Sequence, residues 1–233
     1  MSDSQPLLDR LFAALDWHAL GAIYCDEGGD AFWSERREPT LRMGRIWAAA
    51  LAKRLPRGGK SLYVGAGVAE LPAMLHEIRA TGRSVVACNL RAAECAVIAT
   101  GLRAVGVSAD ELDVVPADVR TLLGGAAFDH LAMVSALTDP ETWPVVSAVT
   151  YGRVPAVLLD VAAFERERSE ILALVESLVG VLAVPAWITT TGDEVPWLMH
   201  VARAHGLSLD VDDDLLETAV VGDPIGFVRV KKA

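Results

Sequence analysis

Ser61-Leu-Tyr-Val-Gly-Ala-Gly-Val-Ala-Glu70 is the stretch on which the fold turns. Residues 61–64 read as a short buried strand, Gly65 and Gly67 follow at alternate positions, and a helical pattern over residues 70–80 ends at Gly82. A glycine at 65 permits a sharp exit from the strand, and one at 67 lets the backbone approach a ligand with no side chain between them. The helix beyond opens with N–H groups that have no partner inside it. Strand, G-x-G turn and helix in that order suit a nucleotide or nucleoside at the carboxyl edge of a sheet. Taken alone, the pattern also describes a tight strand-to-helix turn with no ligand.

Downstream, apolar and helical segments alternate. Residues 84–90 read as a strand, 92–105 as a helix, 112–116 and 128–136 as strands, 140–151 as mostly helical and 154–161 as a buried strand. Uniformly apolar strands separated by helices indicate a parallel sheet covered on both faces, and right-handed crossovers make it doubly wound. The last third continues with a helix at 163–179, a strand at 181–190, a helix at 194–205 and strands from 207 onward. There Gly222-Asp-Pro-Ile-Gly226 reads as a turn between strands 217–221 and 227–231. About eight strand candidates result, so either one is false or the sheet carries an added element.

Upstream, Leu7, Leu8, Leu11, Leu15 and Leu20 recur at helical spacing over residues 5–20. Cys25-Asp-Glu-Gly-Gly-Asp30 reads as a loop, and Thr40 as the cap of a helix reaching residue 55. Pro56-Arg-Gly-Gly59 then separates helical from strand periodicity. The expected architecture is α/β: a Rossmann-like, doubly wound, mostly parallel seven- or eight-stranded sheet with helices on both faces. An N-terminal helical cap or substrate-lid segment spans 1–57, and the sheet domain 58–233.

Composition removes several classes. The 233 residues are 52% hydrophobic, ample for a core. With 21 basic against 31 acidic residues, the net charge of −10 disfavours nucleic acid captured by general phosphate attraction; Arg36, Arg37, Arg42 and Arg45 are the pieces of a local basic patch, and read equally well as a solvated helix face. Cys25, Cys88 and Cys95 form no C-x-x-C pair, which argues against a disulfide scaffold or structural zinc and fits a cytoplasmic setting. No signal peptide is expected, and the apolar stretches are interrupted well before the roughly 18 residues a membrane span needs. No metal site is expected: His200 and His205 miss the i, i+4 spacing, and Asp210, Asp212, Asp213 and Asp214 read as a solvated acidic turn.

Two further strand ends join the glycine turn. Asn89, with Leu90 after it, lies 22 residues beyond Gly67, where nucleoside-binding folds place a side chain on the ribose hydroxyls. Asp118, followed by Val119, ends the third strand and would accept a hydrogen bond from an adenine amino group. Gly65, Ala66, Gly67, Asn89, Leu90, Asp118, Val119 and Ser135 are therefore the candidate cofactor contacts.

Residues 60–140 resemble the class I S-adenosylmethionine-dependent methyltransferases. Leu62-Tyr-Val-Gly-Ala-Gly67 is similar to the family's glycine motif, Val85-Val-Ala-Cys-Asn-Leu90 to its second-strand motif, Ala117-Asp-Val119 to its adenine-contacting acid, and Phe128-Asp-His-Leu-Ala-Met-Val-Ser-Ala136 to its fourth strand. The resemblance implies S-adenosylmethionine as cofactor and methyl transfer, or transfer of another group from that cofactor, to a small molecule. The chain departs from the pattern at Tyr63 and Asn89, where the family carries acids, and at Ala69, where it carries a glycine. An amide at 89 lacks charge assistance, so a weaker cofactor contact is expected and a catalytically silent relative is admitted.

Substrate contacts are expected from Ser135, Thr138, Asp139, Glu141, Asp160 and Glu165, with His18, Tyr24, Trp33, Glu35 and Arg42 from the cap. No catalytic residue is assigned; His18 or a carboxylate would serve as base where the nucleophile carries a proton. A homodimer is allowed. Two rival readings stand beside methyl transfer: a non-catalytic interaction protein that keeps the fold, and an NADP-dependent oxidoreductase in which Asn89 and Arg91 receive a 2′-phosphate.

Overall fold

A computed structural model describes residues 4–24, 29–218, 220 and 222–233. Its chain divides into two compact units, Met1–Leu122 with Leu216–Gly222, and Leu123–Leu215 with Asp223–Ala233. Seven strands among the described residues follow the order β3 (Val114–Pro116), β2 (Ser84–Asn89), β1 (Lys60–Val64), β4 (Phe128–Met133), β5 (Leu182–Thr191), β7 (Ile225–Lys232), β6 (Leu207–Leu216).

The first unit opens with three helices, α1 (Ser4–Ala14), α2 (Trp17–Tyr24) and α3 (Gly29–Arg54). One helix was expected over residues 5–20, and the structure breaks it at Leu15-Asp16. Asp16 starts a new helix by accepting the Ala19 N–H at 3.0 Å, while the Trp17 indole N–H donates back to the Phe12 carbonyl at 2.7 Å. This is the side-chain competition for backbone donors that makes aspartate favour helix starts. Thr40 is likewise not a cap: α3 runs through Pro39, and the Thr40 side chain is fully buried. Of the loop expected at residues 25–30, residues 25–28 and the Cys25 thiol lie outside the described residues, and Gly29 already belongs to α3.

These helices pack on the strand-bearing part of their own unit. A Cβ on Gly44 of α3 would come within 2.5 Å of the Pro72 side chain, and one on Gly101 within 2.8 Å of Leu15. Absent side chains at both crossings allow the close approach. Residues 1–57, expected as a cap, thus fall in the same compact unit as the first three strands.

After α3 the alternation appears as read: β1 (Lys60–Val64), α4 (Leu71–Thr81), β2 (Ser84–Asn89), α5 (Ala92–Ala104) and β3 (Val114–Pro116). β1 pairs with β2 and β2 with β3, all parallel, with Tyr63 opposite Ala87 and Cys88 opposite Val115. Gly82 ends α4 in the left-handed region at φ 67°.

The second unit contains β4 (Phe128–Met133), α6 (Pro144–Thr150), α7 (Val161–Val179), β5 (Leu182–Thr191), α8 (Val195–Ala204), β6 (Leu207–Leu216, its last residue in the first unit) and β7 (Ile225–Lys232). β4 and β5 are parallel, whereas β7 runs antiparallel to β5 with Ile188 opposite Val228. The strand expected at 154–161 is absent. A single 3-10 turn, Ala156–Leu158, occupies it, Val157 and Leu158 are 89% and 71% exposed, and Asp160 caps α7 by accepting the Ala163 N–H at 3.0 Å. Residues 217–221 likewise contain no strand among those described. The Asp210–Asp214 stretch belongs to the exposed strand β6, not to a turn, and Asp210 pairs with Lys231. Charges on a terminal strand discourage edge-to-edge pairing with another chain.

Candidate functional site

The exits of β1, β2 and β3 supply the first unit's site. Gly65 leaves β1 at φ 71° and is exposed, while Ala66 and Gly67 are buried beneath it. The Ala66 N–H donates to the Cys88 carbonyl at 2.9 Å, tying the turn to β2. The Gly67 N–H, expected to face a ligand, donates to Oε2 of Glu70 at 2.8 Å. Glu70 is half-buried at the start of α4, and desolvation lifts its carboxyl to about 7, with Glu94 adding to the rise and the Gly67 N–H opposing it.

Asn89 is buried, and its side chain holds three neighbours. Nδ2 donates to the Ala66 carbonyl and to Oε2 of Glu94, each at 3.0 Å, and Oδ1 accepts the Arg91 N–H at 2.9 Å. The amide thus locks the β1 turn against the β2 exit and the start of α5. Leu90, the next residue, is 60% exposed and offers apolar surface at this edge. The Cys88 and Cys95 thiols behind it are buried, which pushes them up to about 12 and about 11.

Asp118 follows β3 and caps a 3-10 turn, Val119–Thr121, by accepting the Arg120 N–H at 2.9 Å. Its carboxylate is partly exposed and also pairs with the Arg120 guanidinium, whose hydrogen bonds hold the carboxyl below the usual range. Val119 is buried under it.

Tyr63, where the resembled family carries an acid, belongs to a different network. Its hydroxyl donates to Oε1 of Glu77 at 2.5 Å; Oε2 of Glu77 accepts from Ser61 and, at 3.0 Å, from Nε of Arg83, which also donates to the Gly58 carbonyl at 2.6 Å. All four side chains are buried. This residue therefore ties β1 to α4 and the β2 entry, and no acidic side chain reaches the turn from position 63.

Ser135 belongs to the second unit, in a separate group after β4. It is held at φ 56°, in the left-handed region that side chains rarely adopt, and its hydroxyl donates to Oδ2 of Asp223 at 3.3 Å. The Tyr151 hydroxyl donates to the same oxygen at 2.6 Å and approaches Thr138 Oγ1 at 3.2 Å; burial, then Asp223, pushes its pKa up to about 12. Nearby in the chain, buried Glu194 accepts from the Leu137 N–H and the Thr190 hydroxyl, each at 2.7 Å.

Several expected substrate contacts do other work. Asp139 accepts the Glu141 N–H at 3.1 Å, Asp160 caps α7, Glu165 pairs with Arg168 at 3.3 Å, and Trp33 is core. The Tyr24 side chain lies outside the described residues. Of the basic residues, Arg36 stacks over Phe32 at 4.3 Å, Arg37 over Trp17 at 5.1 Å, and Arg45 pairs with Asp9 at 2.5 Å. Sequence reasoning missed Glu70, Glu94, Tyr151 and Asp223. Glu70 carried a signal, an acid three residues past Gly67 at a helix start; Tyr151 and Asp223, far apart in sequence, carried none.

No family model matches the chain, and no curated protein matches its sequence. Solved structures do match. TrmN from Thermus thermophilus superposes with a TM-score of 0.53 at 16% identity over 84% of this chain and 52% of its own, so the chain spans about half of that protein. A SAM-dependent O-methyltransferase from Thermotoga maritima matches at 0.50 and 10% identity over 82% and 65%. Cofactor-bound Rv0187 from MTB matches at 0.55 and 14% over 98% and 91%. The seven described strands in the order found here and these superpositions show that the chain shares the Rossmann-like α/β fold of these solved structures.

Proposed function

We propose that the protein is an S-adenosylmethionine-dependent methyltransferase whose cofactor sits at the Gly65–Gly67 turn. The observation that carries this reading is the edge formed by three paired parallel strands of one unit: an exposed glycine at φ 71° follows β1, exposed Leu90 follows β2, and the partly exposed carboxylate of Asp118 follows β3. Those groups fit an adenosine edge, apolar surface for the base and an acceptor for its amino group. Gly65, Ala66 and Gly67 would bring the backbone to the ligand, Leu90 and Val119 would flank the base, and Asp118 would exchange part of its Arg120 pairing for the amino group. Asn89 would position the turn through Ala66.

Bound cofactor would supply the electrophilic methyl group on a sulfonium; the chain's part is to bind, orient and exclude water. We place the acceptor in the class of small molecules, since the chain carries a net charge of −10 and Arg36, Arg37 and Arg45 stack or pair within the first unit. In the second unit, Ser135, Thr138, Tyr151 and Asp223 form a polar group of their own.

One observation weighs against the oxidoreductase. The Gly67 N–H, which would face a pyrophosphate, is already taken by the Glu70 carboxylate. A second observation favours the non-catalytic alternative: both polar atoms of the Asn89 side chain are already bonded within the protein. Calorimetric titration with S-adenosylmethionine, S-adenosylhomocysteine and NADPH separates the three. Binding of the first two is expected, and Asp118→Ala should weaken both by about 1–3 kcal/mol, the cost of a lost hydrogen bond to a carboxylate. Silence from all three ligands at millimolar concentration would refute both enzyme readings.

A further inference from the structure

Within the site proposed above, and resting on that reading, one group at the glycine turn has no part yet in holding the nucleoside. Glu70 places a carboxylate inside the turn itself, 2.8 Å from the Gly67 N–H. The charged group that acts on it from an adjoining element is Glu94 of α5, also an acid; Glu70 in turn helps raise Tyr63 of β1, whose hydroxyl is committed to Glu77. Asn89 of β2 faces Glu94 and brings no charge. The turn therefore presents a half-buried anion whose partner is an uncharged backbone amide. Such a group repels phosphate and attracts a cation, in a setting where charge is screened far less than in water.

We infer that Glu70 selects the ligand's charge at this turn: it favours a sulfonium nucleoside over the same nucleoside with a neutral thioether. The amino-acid tail and the adenosine are common to S-adenosylmethionine and S-adenosylhomocysteine, which differ by one methyl and its positive charge. The pH dependence of their affinity ratio therefore isolates the charge. A ligand without that charge would leave Glu70 with no cation to face, so the chain would hold the neutral thioether less tightly than the sulfonium. Because burial sets the Glu70 carboxyl to about 7, the preference is present once the group has ionised and fades as it takes up a proton.

The test is the ratio of the two dissociation constants, measured by calorimetry from about pH 5.5 to about pH 7.5 on the full chain. For the wild type, preference for S-adenosylmethionine should grow with pH by on the order of tenfold, the size expected of one unit charge acting across about 10 Å at an effective dielectric of about 20. Glu70→Gln should hold a ratio that does not change with pH, and Glu70→Asp should keep the dependence. A flat ratio in the wild type, which needs no variant to fold, overturns the inference while leaving the cofactor reading intact. An equal pH dependence in Glu70→Gln overturns it too. Failure of the wild type to bind either nucleoside overturns the cofactor reading and the inference with it.

Discussion

Asn89→Asp restores the acid that the resembled family carries at the end of its second strand, and the structure argues that it will damage this protein. The Asn89 Nδ2 stands 3.0 Å from the Ala66 carbonyl and 3.0 Å from Oε2 of Glu94, in a site only 4% exposed. An oxygen at that position turns two donated hydrogen bonds into two oxygen–oxygen contacts. Losing the bond to the carbonyl costs about 1 kcal/mol and the bond to the carboxylate about 2 kcal/mol more. Two facing carboxyls cannot both ionise in a buried site, so the pair retains a proton in the folded state at a pKa above the unfolded aspartate value of about 4. The variant's folded state then binds protons more tightly than its unfolded state. Its deficit grows as pH rises through that folded pKa and shrinks toward lower pH. Urea unfolding followed by circular dichroism should show a midpoint lowered by about 1 M at pH ~8, taking a slope of about 2–3 kcal/mol/M, and by less at pH ~6. An unchanged midpoint at the higher pH, or tighter nucleoside binding with no loss of stability, would refute the assigned role of Asn89.

Three further outcomes follow from named contacts. Arg83→Met leaves the buried Glu77 carboxylate without its guanidinium and should cost about 3–5 kcal/mol in denaturant unfolding; a loss below about 1 kcal/mol would show that the pair is dispensable. Glu70, raised by burial from 4.5 to about 7, holds its proton more tightly folded than unfolded, so its contribution is complete below about 4.5 and is lost as pH rises toward 7. Glu70→Gln should flatten the wild-type stability decline over that window, by at most about 3 kcal/mol, and an identical pH profile in the variant would contradict the shift. Val157→Asp, at a residue 89% exposed, should move the melting free energy by no more than about 0.5 kcal/mol; a loss above 2 kcal/mol would restore the buried strand that the structure lacks.

The alternating core of the first unit was legible because each signal was local. Apolar runs at 61–64 and 84–90, Gly65 at a strand exit and Gly82 at a helix end each state a backbone requirement that neighbouring residues do not override. Misreadings arose where a short local pattern has two outcomes. Residues 154–161 are as apolar as a buried strand, yet Asp160 captures the Ala163 N–H and the segment becomes the exposed entry to α7. Thr40 reads as the start of a helix, but α3 runs through Pro39 with Trp33, Met43 and Trp47 buried in the core. Packing along a long helix can outweigh one missing donor.

The candidate site divides in the same way. Position along the chain was enough to put Gly65, Gly67, Asn89 and Asp118 at the ends of parallel strands, because strand length and helix length set where each exit falls. It did not reveal what their polar atoms touch. Glu77 on Tyr63, Asn89 on the Ala66 carbonyl and Asp223 on Tyr151 are partnerships between residues far apart in the chain, decided by which elements pack together. The sequence by itself determined the strand–helix alternation from β1 to β3, the glycine turn and the class of fold, since these follow from periodicity and backbone freedom. Only the tertiary structure decided which carboxylates and amides are already satisfied, because hydrogen bonds between residues distant in sequence depend on packing that no local pattern encodes.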